Sequence, residues 1–210
     1  MSDIDLQALE QRTREVYERH ATAFDQQRAK YLFEQAWLDR FLEGLPAGGR
    51  ILDMGCGAGE PIARYLIEQG FRVTGFDVAQ AMLDIARVRF PDHTWLQGDM
   101  RELDLDQSFD GIIGWNSFFH LSPSEQPDTL RRIAAHLAPG GRLMLTVGPE
   151  HGEVTGHVNG KQVYHGSLAP DAYTHLLDKL GLTLIDFVLE DETCDFHTVL
   201  LAQKPPDSAR

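Results

Sequence analysis

Residues 51–59 read Ile-Leu-Asp-Met-Gly-Cys-Gly-Ala-Gly, an apolar run that ends beside an acid and passes into three glycines at alternate positions. Each part constrains the fold. The apolar run reads as a buried strand over Arg50–Asp53. Glycines without Cβ let the backbone approach a ligand where a side chain would collide. Residues 60–70 then read as a helix, with Pro61 tolerated in its first turn. A strand, a glycine turn and a helix N-terminus place a small-molecule cradle at the carboxyl edge of a sheet.

The spacing narrows the ligand. A dinucleotide fingerprint needs Gly-x-Gly-x-x-Gly, whereas this chain has Gly55-x-Gly57-x-Gly59 followed by Glu60. An acid in the first helical turn repels a pyrophosphate. No Ser/Tyr/Lys set is placed for hydride chemistry either, which disfavours a nicotinamide-dependent oxidoreductase. The segment resembles motif I of the class I S-adenosylmethionine-dependent methyltransferases, Asp/Glu-x-Gly-x-Gly-x-Gly, whose loop holds the amino-acid end of a cofactor without phosphate.

The resemblance continues in order along the chain. Phe71–Asp77 is an apolar strand ending in an acid eighteen residues past Gly59. A carboxylate there can accept both ribose hydroxyls, the role the family gives it; the other reading of Asp77 is a cap of the next helix. Val78-Ala-Gln-Ala-Met82 resembles the family's Asp-x-Ser-x-x-Met segment, with Ala79 in place of serine. Gln97-Gly-Asp99-Met100 resembles the segment whose aspartate accepts from the adenine amino group while the next residue packs on the ring. Phe109–Leu121 resembles the fourth strand and its His-Leu loop, and Ala138-Pro-Gly-Gly-Arg the turn into the fifth strand.

The resemblance implies an α/β fold. Its seven-stranded, mostly parallel sheet has helices on both faces, in the Rossmann-like methyltransferase arrangement, with an N-terminal helical cap. Periodicity supports that layout. Leu6, Leu9, Val16 and Tyr17, then Leu32, Trp37, Leu38 and Phe41, repeat at helical spacing. Strands at Arg50–Asp53, Arg72–Asp77, Thr94–Gln97, Phe109–Trp115 and Arg142–Val147 alternate with helices near 60–70, 79–90 and 124–138. Leu182–Leu189 and Phe196–Ala202 are too close for a parallel crossover and should pair antiparallel. One domain results, with residues 1–47 as cap and 48–203 as core. A hairpin near 150–166 is signalled by Asn159-Gly160.

The expected cofactor is S-adenosyl-L-methionine. Its implied contacts are Asp53, Gly55, Cys56, Gly57, Ala58 and Gly59 of the loop, Asp77, Val78 and Met82 after the second strand, and Asp99, Met100 and Asn116 beyond. Tyr17 and Arg28 join them, because Tyr17–Arg28 resembles a capping segment of small-molecule members. His120 is the candidate general base; its plainer reading is a packing residue without a visible orienting partner. His151, His157 and His165 read as surface or hairpin histidines, and their spacing fits no metal motif.

The acceptor is narrowed mainly by what is missing. Asn116 is followed by Ser-Phe-Phe, not Pro-Pro-Tyr, and no Pro-Cys nucleophile is present. Trp115 and Thr-Val-Gly-Pro stand where metal-dependent catechol methylases place acids, so no metal is expected. A small-molecule acceptor remains. The alternative is a non-catalytic S-adenosylmethionine-binding or regulatory protein. A net charge of −13 opposes nucleic-acid binding. No eighteen-residue apolar run or signal core appears, so a cytoplasmic monomer or homodimer without membrane contact is expected. In the strand order that the resemblance implies, Cys56 and Cys194 lie about three strand spacings apart, on the order of 14 Å, so they should stay unpaired.

Overall fold

The computed structural model describes residues 6–27, 31–158 and 160–207. Seven strands form one sheet in the order β3-β2-β1-β4-β5-β9-β8. The first five, β1 (Arg50–Met54), β2 (Arg72–Asp77), β3 (Thr94–Gln97), β4 (Phe109–Gly114) and β5 (Leu137–Val147), run parallel. As expected from their short separation, β8 (Thr183–Asp191) and β9 (His197–Gln203) pair antiparallel, and β9 also pairs antiparallel with β5.

Alternation along β1 builds two cores. Ile51 joins Ile113, Met144 and Leu201 beneath α2 (Gln35–Leu42), α3 (Ile62–Glu68) and α4 (Gln80–Arg89). Leu52 and Met54 join Ile112, Leu143 and Leu200 beneath α5 (Gln126–His136) and α6 (Pro170–Lys179) on the opposite face. Each fully buried aliphatic contributes about 1.5–3 kcal/mol of transfer energy. Helix α6 carries Tyr173 and Leu177 into the second core. It closes the crossover between the hairpin and β8, a helix that the alternation of strands alone does not announce.

The cap helix α1 (Leu6–Gln27) kinks at His20. Its Ala21, Tyr17 and Phe24 pack on Ala58, Ala79 and Met82, a small third cluster directly over the glycine loop. Arg89 fastens the same junction. It donates to Asp25 of α1 at 2.8 and 2.9 Å and to the Ala58 carbonyl at 2.8 Å. The hairpin forms its own two-stranded sheet, β6 (Gly152–Val158) with β7 (Lys161–Ser167). Gly160 takes a positive φ of 70° at its turn, and Asn159 lies outside the described residues. Among the described residues no helix is long and apolar enough to cross a membrane.

Candidate functional site

The strand ends of the parallel sheet open into one cavity of about 900 Å³. The turn after β1 forms its floor. Gly55 and Gly57 adopt φ of +69° and +53°, which L side chains rarely take. A Cβ at Gly55 would lie 2.2 Å from Ser117 Cβ, so this glycine lets the β1 and β4 loops touch. A Cβ at Gly57 would meet nothing nearer than Met82 Sδ at 4.0 Å. That room is open to the cavity: it is a cradle that a side chain would fill.

Asp77, at the end of β2, is in the same wall and accepts the Gly57 N–H at 2.9 Å and the Ala79 N–H at 2.8 Å. Removal from water raises its pKa, against the lowering effect of those backbone donors. It therefore fixes the loop while keeping lone pairs for hydroxyl donors. Asp99 is held by Arg101, whose Nε donates to Oδ1 at 2.9 Å and Nη2 to Oδ2 at 2.6 Å; Arg101 also reaches Glu125 at 3.0 Å.

On the other flank, His120 faces the cavity from a short 3-10 turn (Phe118–His120). Its Nδ1 lies 2.8 Å from the Tyr164 carbonyl, which can only accept, so Nδ1 carries the proton. Its Nε2 lone pair then accepts the Tyr17 hydroxyl at 3.0 Å. The orienting partners, invisible in sequence, come from the hairpin and the cap helix.

A family model described as "Methyltransferase domain" matches residues 51–141. The dTDP-4-amino-2,3,4,6-tetradeoxy-D-glucose N,N-dimethyltransferase of Saccharopolyspora spinosa is 30% identical over 62% of this chain and 53% of its own length. The 2-phytyl-1,4-naphtoquinone methyltransferase of Thermosynechococcus vestitus is 38% identical over 52% of this chain and 48% of its own. Residues 51–141 thus carry the likeness to a methyltransferase domain, and both of these similar proteins are methyltransferases. The chain spans about half the length of the curated relatives it matches. Among solved structures, the magnesium protoporphyrin IX methyltransferase of Synechocystis PCC 6803 superposes with a TM-score of 0.70 at 15% identity, covering 97% of this chain and 99% of that one. The amino pentose methyltransferase CalS10 of Micromonospora echinaspora superposes at 0.67 with 21% identity, covering 89% and 96%. At those identities the likeness is one of fold.

The cavity gathers Asp53, Gly55, Cys56, Gly57, Ala58, Asp77, Val78, Met82, Asp99, Met100, Asn116, Tyr17 and His120. Gly59 is a correction. It lies outside the cavity wall, and a Cβ there would meet Phe90 and Trp95 at 3.0 Å, so it serves helix-to-strand packing. Arg28 lies outside the described residues. Glu60, read as a repelling charge, is instead paired with Arg64 and, at 3.6 Å, with Arg89.

The histidines of the hairpin separate. His151 is exposed and off the site, whereas His157 and His165 line the cavity. His165 packs on Phe119 at 4.4 Å and on His120 at 5.2 Å, so it is no surface histidine. Residues the sequence did not nominate are Thr13 and Arg14 of α1, and Glu190, Asp195, Phe196 and His197 of the β8–β9 corner. Only the fold brings that corner next to β4. Among the described residues no three His, Cys, Asp or Glu side chains gather as a metal site.

Burial sets two further properties. Cys56 and Cys194 are free and buried, with thiol pKa raised by desolvation, that of Cys194 to about 12. Alkylation by iodoacetamide at pH 8 is expected to be much slower than for a small thiol, and slower again at Cys56 when adenosylhomocysteine fills the cavity. Rapid modification of Cys56 in the native protein would contradict its burial.

His120 is pushed down to about 4, chiefly by desolvation, so it is neutral at pH 7. The unfolded chain binds its proton from about pH 6.5 downward and the native protein only near 4, so this stability is complete above pH 6.5 and lost as pH falls towards 4. The loss is at most about 3 kcal/mol, because a tenfold difference in proton affinity is worth about 1.4 kcal/mol and the ring is only half-buried. Urea unfolding of wild type is expected to weaken more between about pH 7 and pH 4.5 than that of His120→Gln; equal losses would refute the assignment.

Proposed function

We propose that this chain binds S-adenosylmethionine in the cavity and transfers its methyl group to a small-molecule acceptor by in-line displacement. The observation that carries the proposal is the open space at Gly57, placed between Asp77 and the Trp115–His120 loop in one continuous wall. The residues fit the cofactor part by part. The Gly55–Ala58 backbone takes the amino-acid end, Asp77 the ribose hydroxyls, and Asp99 with Met100 the adenine. Bound there, S-adenosylmethionine supplies a methyl group already activated on a sulfonium.

The chain's own work is then alignment and exclusion of water. Tyr17 and Phe24 cover the floor from above through the cap. His120, neutral and fixed by the Tyr164 carbonyl, holds a bare nitrogen against the Tyr17 hydroxyl, so this pair can receive a proton from an acceptor without rearranging. The relatives named above act on an amino sugar nucleotide and on a naphthoquinone, so small molecules are the class we carry over. A single-domain enzyme agrees with two cores that share one sheet.

Isothermal calorimetry with S-adenosylmethionine and adenosylhomocysteine tests the binding, and adenosylhomocysteine release across an acceptor panel tests the transfer. Asp77→Ala removes both the ribose acceptor and the Gly57 and Ala79 N–H partner. It is expected to weaken S-adenosylmethionine at least about tenfold, the equivalent of one charge-assisted hydrogen bond. Unchanged affinity would remove Asp77 from the site.

A further inference from the structure

Strand β7 brings a second histidine to the cavity, next to the residue that fixes His120. Both nitrogens of His120 are committed. Its Nδ1 donates to the Tyr164 carbonyl at 2.8 Å, and its Nε2 accepts the Tyr17 hydroxyl at 3.0 Å. A proton therefore reaches His120 only through the Tyr17 oxygen. His165 follows Tyr164 and lines the same cavity, yet it hydrogen-bonds no protein group among the described residues. Neither of its ring nitrogens is wholly enclosed, so both reach open space. A neutral imidazole has one N–H and one bare nitrogen in either tautomer. His165 thus keeps an uncommitted lone pair whichever tautomer it adopts.

The hairpin builds a seat for this ring. Gly156 stands inside β6, where a glycine weakens the strand and marks the close approach of another group. A Cβ there would lie 2.3, 2.5 and 2.9 Å from Cε1, Nε2 and Nδ1 of His165. Such similar distances to three ring atoms put the glycine under the face of the imidazole. The hydrogen-bonding directions of the nitrogens lie in the ring plane, so the seat leaves them clear. Phe119 and His120, from the loop after β4, hold the ring at centroid distances of 4.4 and 5.2 Å. Burial alone shifts the pKa of His165, and it does so downward. Its titratable neighbour, His120, is also neutral at pH 7.

We infer that His165 is a catalytic base that touches the acceptor and takes the proton of its reacting atom, so that the acceptor carries a hydrogen on its nucleophilic oxygen, nitrogen or sulfur. The inference rests on the cofactor reading above. The bare imidazole nitrogen accepts that hydrogen and so orients the nucleophile before reaction. A lone pair of the nucleophile forms the bond to the methyl carbon while the S–C bond breaks, its electrons left on sulfur. The proton passes to the imidazole, which carries the positive charge the sulfonium has lost, and leaves from there to solvent. The half-buried position of His165 gives that proton an exit. The seat on Gly156 fixes the ring plane, so the direction of transfer is set before the acceptor enters. A tertiary amine or a thioether has no hydrogen to give and gains nothing from this residue.

Diethyl pyrocarbonate probes the free nitrogen, because it acylates a bare imidazole nitrogen. With adenosylhomocysteine bound, peptide mass mapping is expected to find His165 acylated at least about tenfold faster than His120, the protection that one hydrogen bond confers. Turnover is read as adenosylhomocysteine release with a phenol, an aliphatic alcohol, a primary amine and a thiol. With whichever is turned over fastest, His165→Phe keeps a ring on Gly156 and is expected to lower kcat at least about a hundredfold, with S-adenosylmethionine affinity unchanged in calorimetry. Its residual rate should climb with hydroxide above neutral pH, where the wild-type rate is level. Gly156→Ala displaces the imidazole without removing it, and should lower kcat severalfold while keeping the level profile. Failure of adenosylhomocysteine to bind wild type would overturn the cofactor reading and this inference with it. Binding without release from any of the four would overturn transfer to such an acceptor, and the base with it. His165 acylated no faster than His120, wild-type kcat in His165→Phe, a wild-type pH profile in that variant, or a loss matched by weaker S-adenosylmethionine binding would overturn the base alone.

Discussion

Gly57→Val is expected to abolish S-adenosylmethionine binding while leaving the protein folded. The two halves of that result have separate causes. The new side chain would enter space that no protein atom occupies within 4.0 Å of its Cβ, so the core is not asked to move. The backbone cost is that of a β-branched residue at φ +53°, about 1–2 kcal/mol, which a protein of ordinary stability survives. The ligand, by contrast, loses the surface on which its amino-acid end would rest. We expect at least about a hundredfold weaker binding, ~2.7 kcal/mol, in calorimetry, with an unchanged far-ultraviolet circular dichroism spectrum. Wild-type affinity would mean that the loop faces something else. The neighbouring glycines do not give this clean separation. At Gly55 the same substitution drives into Ser117, and at Gly59 into Phe90 and Trp95, so both would unfold the junction before ligand is added.

That contrast marks how far the sequence could be read. The alternating parallel strands and the antiparallel close follow from local signals, whereas the strand order comes with the family resemblance. Apolar runs ending in Asp53, Asp77 and Gln97-Gly-Asp99 are written in continuous stretches, and a parallel sheet brings their carboxyl ends together by topology alone. Alternate glycines, however, look identical in sequence; only the packing shows that Gly57 opens to the cavity while Gly59 backs onto Trp95. The acceptor half was least legible because its contacts are long-range. His120 depends on Tyr17, 103 positions before it, and on the Tyr164 carbonyl, 44 after it. The contact between Asn116 and His197 spans 81 positions and joins strands that are separated in the sheet by β5. No periodicity or short motif records such pairs. The hairpin's place beside the cavity follows from its position after β5, but its second role does not.

That second role changes what removing the hairpin should do. Its position after β5 suggests an element that serves only the acceptor, yet Tyr164 is wholly buried, its N–H donates to Thr13 Oγ1 at 3.1 Å, and its carbonyl fixes His120. Thr13 belongs to α1, the helix that brings Tyr17, Phe24 and Asp25 over the glycine loop. Replacing residues 153–164 with a short Gly-Ser linker therefore takes away the support of the cap as well as the acceptor wall. We expect loss of turnover together with a lower urea midpoint and severalfold weaker S-adenosylmethionine binding. Two point variants separate the roles. Thr13→Val removes the hydroxyl that accepts the Tyr164 N–H, a hydrogen bond worth about 0.5–1.5 kcal/mol, and should weaken stability and cofactor affinity together. His157→Ala, in the arm that lines the cavity, should leave both unchanged and raise the apparent KM for the acceptor. Wild-type stability and cofactor affinity in the linker variant would show that α1 holds its place without β7. The hairpin would then be a substrate wall and nothing more.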